Sequence, residues 1–386
     1  MTGGALVIGA DYRALGVVRS LGRRRVPVWV LRRGDDRLAG LSRYARRTVE
    51  LRDGAGFLLE LGREHRLDGW TLFPSSDETA ALVARHHAEL AARFRLTTPP
   101  WEVTRYAYDK RLTYPLAAEI GLDVPQTWYP RDRDEVALLP CAFPVVIKPA
   151  VKARFNRLTA AKAWRADDRA GLVARYDAAC ALVEPEVLIV QELIPGGGGQ
   201  LSYAAICEHG RPLGALTARR LRQYPMDFGR ASTFVETAHL PEAAEPARAL
   251  LARLGYTGLV EVEFKLDPRD GRCKLLDVNP RVWGWHTLCG RAGIDFAWLA
   301  WLQARGEPVE AGTARAGVRW TRLTTDLPTA AAEIRKGRLR PRDYLRSLRG
   351  PRERAIFARD DPLPGLAEVP LLVALLLRRL ARRSGV

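Results

Sequence analysis

Short apolar runs alternate with helix-period stretches through the first hundred residues. Ala5-Leu6-Val7-Ile8 ends at Gly9, apolar positions then recur at helical spacing from about Leu15 to Arg24, and Val26-Pro27-Val28-Trp29-Val30-Leu31 forms the next apolar run. The pattern repeats with a helix near 56–65, a strand at 69–73 and a helix near 78–93. Strands alternating with helices predict a doubly wound parallel sheet of the α/β class. The turn Gly9-Ala10-Asp11 lacks a full G-x-G-x-x-G pattern, so it reads as fold and not as a dinucleotide site. Thr97-Thr98-Pro99-Pro100 punctuates the chain and closes a first domain, residues 1–100.

Beyond it the pattern predicts a helix from Lys110 to about Ile120, a strand ending at Lys148-Pro149, a helix near 167–183, a strand at 187–191 and a glycine run at 196–199. Two further strands, 259–266 and 273–278, flank the turn Asp267-Pro268-Arg269-Asp270-Gly271. After about residue 310 the apolar runs shorten and Arg and Pro multiply, so 311–386 reads as a basic C-terminal extension.

A formal charge of +17 invites a nucleic-acid reading, but only seven of the 61 basic residues are lysine. Such a bias is a genome-composition signature, with arginine serving wherever a generic cation is tolerated. From residue 331 to the end there are 14 basic and 6 acidic residues, so much of the surplus belongs to the tail. Nucleic acid is therefore not expected as a partner. Where arginine is the default, lysines mark places that need a slim ammonium, and four of the seven fall between 110 and 162. Five scattered cysteines without a CxxC pair suggest a reducing cytoplasm and no zinc site. The N-terminus has no basic region ahead of an apolar one and is not read as a signal peptide.

The predicted hairpin carries the chemistry. Glu261 and Glu263 share one strand face, and Asp277 and Asn279 share a face of the partner strand. Brought together they offer hard oxygen ligands suited to Mg²⁺, and acids so placed repel unless a cation sits between them. The alternative is two solvated strand faces. Arg281 follows directly, placed for phosphate or carboxylate. Lys148, ending an apolar strand, is a snorkelling edge residue or a phosphate ligand. Gln191 and Glu192 end another strand and can reach a base edge at a pocket rim. No GxSxG or Ser-His-Asp order is present, which argues against a hydrolase.

Together, Asp109-Lys110, Gly121-Leu122-Asp123-Val124-Pro125, Val145-Val146-Ile147-Lys148-Pro149, Val190-Gln191-Glu192-Leu193-Ile194-Pro195-Gly196, Glu261-Val262-Glu263 and Leu276-Asp277-Val278-Asn279-Pro280-Arg281 resemble the ATP-grasp superfamily. That superfamily includes D-alanine–D-alanine ligase, biotin carboxylase and carbamoyl phosphate synthetase. The resemblance covers roughly residues 100–305 and implies a two-lobed ATP-grasp domain at 101–310, with a lid at about 125–190, behind a Rossmann-like domain. It implies ATP and Mg²⁺ (or Mn²⁺) as cofactors, with a small-molecule carboxylate and an amine as substrates. By position, Lys110 and Lys148 match the lysines that hold the ATP phosphates. Gln191, Glu192 and Ile194 match the hinge that meets adenine, and Gln200 the ribose-binding place. Glu263, Asp277 and Asn279 match the metal ligands, with both acids expected to meet solvent and metal rather than core. Arg281 matches the residue that steadies the acyl phosphate.

One departure is the segment after Lys148-Pro149, where Lys152, Arg154, Arg157 and Lys162 replace a glycine- and serine-rich phosphate loop. It resembles a carboligase-like branch related to D-aspartate ligase. In that setting the arginines of the polar run Arg219-Arg220-Leu221-Arg222-Gln223-Tyr224-Pro225 through Arg230, Arg222 and Arg230 foremost, hold a carboxylate substrate or belong to a solvated loop, and His286 lines the acceptor pocket or is a packed histidine. A carboxylate–amine ligase is the leading reading; a small-molecule kinase and a non-catalytic nucleotide-binding module are the alternatives. At the C-terminus, Val369 to Leu377 is too short to span a bilayer, which takes about 20 apolar residues. With the arginines that follow, it suits a groove on the protein's own body or on a dimer mate, or an anionic membrane surface on the cytoplasmic side. Clustering of the arginines at one end favours packing on protein.

Overall fold

The computed structural model describes residues 3–151, 163–196, 199–226, 229 and 231–383, with side chains as far as Ala374. The first hundred residues build a five-stranded parallel sheet in the order β3-β2-β1-β4-β5, from β1 (Ala5–Ile8), β2 (Val28–Arg32), β3 (Ala45–Glu50), β4 (Thr71–Pro74) and β5 (Arg95–Leu96). Ala5 to Ile8 are wholly buried, as continuous apolar strands are when helices cover both sheet faces. The strand order reverses between β1 and β4, and the loops after these two strands form the crevice at the switch point. Gly9 is required there: its φ is +127°, and a Cβ would lie 2.0 Å from Ser75 Oγ.

A four-stranded antiparallel sheet follows, ordered β6-β9-β7-β8, from β6 (Thr127–Trp128), β7 (Val145–Pro149), β8 (Trp164–Ala166) and β9 (Leu188–Glu192). The largest sheet has seven strands ordered β14-β13-β10-β11-β12-β15-β16. Its members are β10 (Gln200–Glu208), β11 (Arg211–Tyr224), β12 (Ala231–Thr237), β13 (Gly258–Leu266), β14 (Cys273–Asn279), β15 (Arg319–Thr321) and β16 (Arg352–Arg354). The segment read as a C-terminal extension thus supplies two strands of this sheet. It is also clamped to the first sheet's helices. Buried Asp361 accepts from Arg19 Nε at 2.9 Å, Ser42 Oγ at 2.7 Å and the Arg43 amide at 2.9 Å, while Asp360 takes a two-pronged bond from Arg23.

The polar run at 219–225, read as a carboxylate-binding or solvated loop, is instead the end of β11. Arg222 lies inside the protein. Its guanidinium forks onto Asp326 with both bonds at 2.8 Å, and stacks 4.1 Å from the Phe234 ring centre. Asp326 also accepts from Thr233 Oγ1 at 2.9 Å. This pair ties β11 and β12 to the helix Leu323–Arg335. Removing one partner strands a buried charge, so Arg222→Ala is expected to cost about 3–5 kcal/mol of stability. Thermal melts compared with ATP titrations check this: a weakened ligand response at an unchanged melting temperature would restore Arg222 to a binding role.

Candidate active site

The site is built across β13 and β14, where the register pairs Glu261 with Asn279 and Glu263 with Asp277. Alternation places all four side chains on one face of the sheet. Asn279 Nδ2 donates to Glu261 Oε2 at 3.0 Å and to Glu263 Oε1 at 3.1 Å, bridging the two acids. From β11, Arg220 Nη2 donates to Glu263 Oε1 at 2.8 Å, and its other arm reaches Gln200 Oε1 on β10. Glu261 also accepts from Ser202 Oγ at 3.0 Å and Trp285 Nε1 at 2.9 Å. Burial, and then the neighbouring charge of Glu263, pushes the Glu261 carboxyl up to about 7, against the pull of Arg220 and Ser202. Burial opposes the Arg220 charge, yet Glu263 and Glu261 hold its pKa above the ordinary arginine value.

Glu263, expected to meet solvent, is therefore buried, as is Glu261 beside it. Glu263 is 5% and Glu261 1% exposed, because Arg220, Asn279 and Trp285 close over them and satisfy their oxygens. Asp277 lies nearer the opening and takes Lys110 Nζ at 3.0 Å. Lys110 opens the helix Lys110–Glu119, whose N-cap Asp109 accepts from the Arg111 amide at 2.9 Å. The Lys110 amide donates to Ala150 O at 3.2 Å, and Tyr114 Oη one turn on donates to Leu276 O at 2.9 Å. The helix start is thus pinned between the end of β7 and β14. On β7, Lys148 Nζ donates to Gln191 Oε1 at 2.7 Å, and Gln191 Nε2 to Thr127 Oγ1 at 2.7 Å.

Arg281, just past β14, reaches back to the switch-point crevice. Its Nη2 donates to Asp77 Oδ2 at 2.9 Å and to Asn279 Oδ1 at 3.2 Å, and Nη1 to Val282 O at 3.1 Å. Asp77 begins the helix Asp77–Arg85, with Ser76 as its N-cap. The first sheet therefore contributes a carboxylate to the site.

Other expected residues sit differently. The Glu192 carboxylate is engaged by three protein donors. It accepts from Gln126 N at 3.0 Å, Lys274 Nζ at 2.8 Å and Arg269 Nη2 at 2.5 Å. Burial works against its charge, but Lys274, Gln126 and Arg269 outweigh it and hold the pKa below the usual value. The Gln191 side chain is likewise committed, to Lys148 and Thr127. Ile194 is buried, with its carbonyl accepting from Lys265 Nζ at 3.0 Å. Gln200 lies beside Arg220 on the acid-bearing face. His286 is a packed histidine: it is buried, its Nε2 lies 2.9 Å from Arg13 O, and burial lowers its pKa. Lys152 and Arg230 lie outside the described residues.

Sequence reasoning placed Arg220 only in the polar run whose arginines hold a carboxylate or belong to a solvated loop, not beside the acids, and gave Asp77 no role in the site. Arg220 had a signal in its even spacing from Arg222 within a strand, where the two alternate with exposed Arg219 and Leu221. Asp77 had none beyond its place after the last apolar run of the first sheet.

A family model described as "ATP-grasp in the biosynthetic pathway with Ter operon" matches residues 184–326. The chain is 24% identical to a D-aspartate ligase of Enterococcus faecium over 238 residues, covering 58% of this chain and 56% of that one. It thus spans about half the length of this curated relative. Among solved structures, an L-amino acid ligase from Bacillus licheniformis superposes with a TM-score of 0.62 at 17% identity, covering 80% of this chain and 75% of that one. The biotin carboxylase domain of Hydrogenobacter thermophilus 2-oxoglutarate carboxylase, crystallised with MgADP, gives 0.65 at 14% identity, covering 83% and 74%. Over residues 184–326 the chain is thus similar to an ATP-grasp family, and its fold is similar to that of the ligase and the biotin carboxylase domain named above.

Proposed function

We propose that this protein is an ATP-dependent ligase that activates a carboxylate as an acyl phosphate and couples it to an amine. The observation that carries the reading is the meeting of Lys110, Glu263, Asp277, Asn279 and Arg281 on one sheet face. Similarity to a D-aspartate ligase and an L-amino acid ligase supports an amino acid as one substrate.

The donor set fits a divalent cation. Glu263, Asp277 and the Asn279 amide oxygen are hard ligands, and the acids already sit against two cations, Lys110 and Arg220. These residues would hold Mg²⁺, or Mn²⁺ in its place, with the Asn279 amide turned to present its oxygen. When bound, the ion offsets negative charge on the β- and γ-phosphates. Lys110, released from Asp277, and Lys148 hold the phosphates. With the Glu192 carboxylate engaged by Arg269 and Lys274, the main chain of the 192–196 segment is left to recognise the base.

A carboxylate oxygen of the first substrate attacks the γ-phosphorus and ADP leaves. Arg281, steadied by Asp77, offers its guanidinium to the acyl phosphate. The amine, having shed a proton, attacks the acyl carbon; inorganic phosphate departs and the C–N bond is made. Water would destroy the acyl phosphate, so on this reading residues about 125–190 act as a lid. An ADP-release screen of amino acids and small carboxylates tests the proposal. Release that requires both a carboxylate and an amine is the expected result. Release with the carboxylate alone, leaving a stable phosphorylated product, would make the protein a kinase, and no release with any pair would leave a nucleotide-binding module.

A further inference from the structure

The helix Leu363–Arg383 leaves the body of the protein with one side covered and the other bare. On the covered side Gly365 packs so closely that a Cβ would lie 2.9 Å from Phe357 Cα. Glu368 accepts from Arg322 Nε at 3.1 Å and Thr324 Oγ1 at 2.6 Å, and Leu371 packs on the main core. The bare side carries Leu366, Val369 and Val373, which are 67%, 57% and 49% exposed. Steps of three and four place them in one row along the helix. Single exposed leucines are ordinary, whereas an aligned row marks a contact surface. The sequence carries the same spacing on through Leu376, Leu377 and Leu380, adds Arg378, Arg379, Arg382 and Arg383, and has no acidic residue after Glu368. Among the described residues no helix is long and apolar enough to cross a membrane.

We propose that this helix docks the protein on an anionic lipid surface, lying in its plane with the Leu366–Val369–Val373 row turned toward the acyl chains. The arginine-rich end supplies the attraction for acidic headgroups. Charge decides between lipid and a second copy of the chain. The one acid on the helix, Glu368, is held by Arg322 and Thr324. The acids just ahead of the helix, Asp360 and Asp361, are held by Arg23, Tyr44, Arg19 and Ser42. Two copies meeting through this row would set one arginine-rich helix against another, with these acids already engaged. A bilayer rich in acidic lipid provides both the apolar interior and the negative charge.

The test is co-sedimentation of the full chain with phosphatidylcholine vesicles, with and without phosphatidylglycerol, at low and high salt. A neutral variant, Leu366→Ser/Val369→Ser/Val373→Ser, is run beside it. All three positions are exposed, so the variant keeps the parent's melting temperature. The expected result is binding to the acidic vesicles that weakens with salt and falls by at least about tenfold in the triple variant. Failure of the full chain to sediment with acidic vesicles at low salt would overturn the proposal. So would undiminished binding by the triple variant, which would leave only the general positive charge of the protein. A dimer by light scattering that the triple variant dissociates would assign the row to a second copy instead.

Discussion

Replacing Glu263 by glutamine, or Asp277 by asparagine, is expected to lower turnover by at least about a hundredfold while the protein stays folded. Each change removes one negative hard ligand from the acid-bearing face and keeps the side-chain shape. Glu263 is the more demanding case because it is buried, with Arg220 at 2.8 Å and Asn279 at 3.1 Å. A glutamine oxygen can still accept from both, and the nearby Glu261 remains as a counter-charge for Arg220. The variant should therefore melt lower than the parent without losing its cooperative transition. Asp277 sits closer to solvent with Lys110 as its partner. The expected loss of stability is smaller there, since Lys110 can turn outward to water. Circular dichroism melts and ADP release over a Mg²⁺ titration separate the two effects. Unchanged rate and unchanged Mg²⁺ dependence in both variants would move the metal off this hairpin.

The β13–β14 hairpin was legible in the sequence because two periodicities and one turn agreed. Glu-Val-Glu and Asp-Val-Asn alternate, and a Pro- and Gly-containing turn fixes which residues face each other. The strand at 145–149 and the first helices were legible for the same reason: an apolar pattern with a clear boundary. What stayed hidden depended on partners far along the chain. The strand Ala45–Glu50 carries Arg46, Arg47 and Thr48 because it is an edge, and it shows no clean alternation. The end of β11 reads as a polar loop because its two inward arginines are neutralised by Glu263 and Asp326, some 43 and 104 positions away. Arg222 and Arg220 cannot be told apart locally. Both are buried, one paired with an acid on a helix and the other with an acid on the face that also carries Asp277 and Asn279. Glu192 is a similar case, paired with Arg269 and Lys274, which belong to the turn and strand of the hairpin itself.

Lysine 148 offers the sharpest test of side-chain identity, because the natural substitute in this chain would be arginine. Lys148→Arg is expected to lose at least about tenfold in kcat/KM for ATP, roughly 1.4 kcal/mol, despite keeping the charge. The argument is geometric. Lys148 projects from β7 onto Gln191 on the neighbouring strand, with Nζ 2.7 Å from its amide oxygen. Gln191 is held in turn by Thr127 Oγ1 at 2.7 Å, so it cannot swing away without breaking the second bond. A single ammonium can keep Gln191 with one proton and turn the others toward phosphate oxygens. A guanidinium is longer and flat, and its donors lie in one plane. To keep the Gln191 bond it must push the β6–β9 pairing apart; to reach phosphate it must abandon Gln191. Lys148→Met should lose ATP affinity too, by removing the charge altogether. Comparing the two variants isolates shape from charge: the arginine form should fall nearer the methionine form than the parent. Isothermal titration of a non-hydrolysable ATP analogue, with steady-state kinetics, gives both numbers. An arginine variant that binds and turns over ATP like the parent would remove Lys148 from the phosphate site and leave it as a strut between β7 and β9.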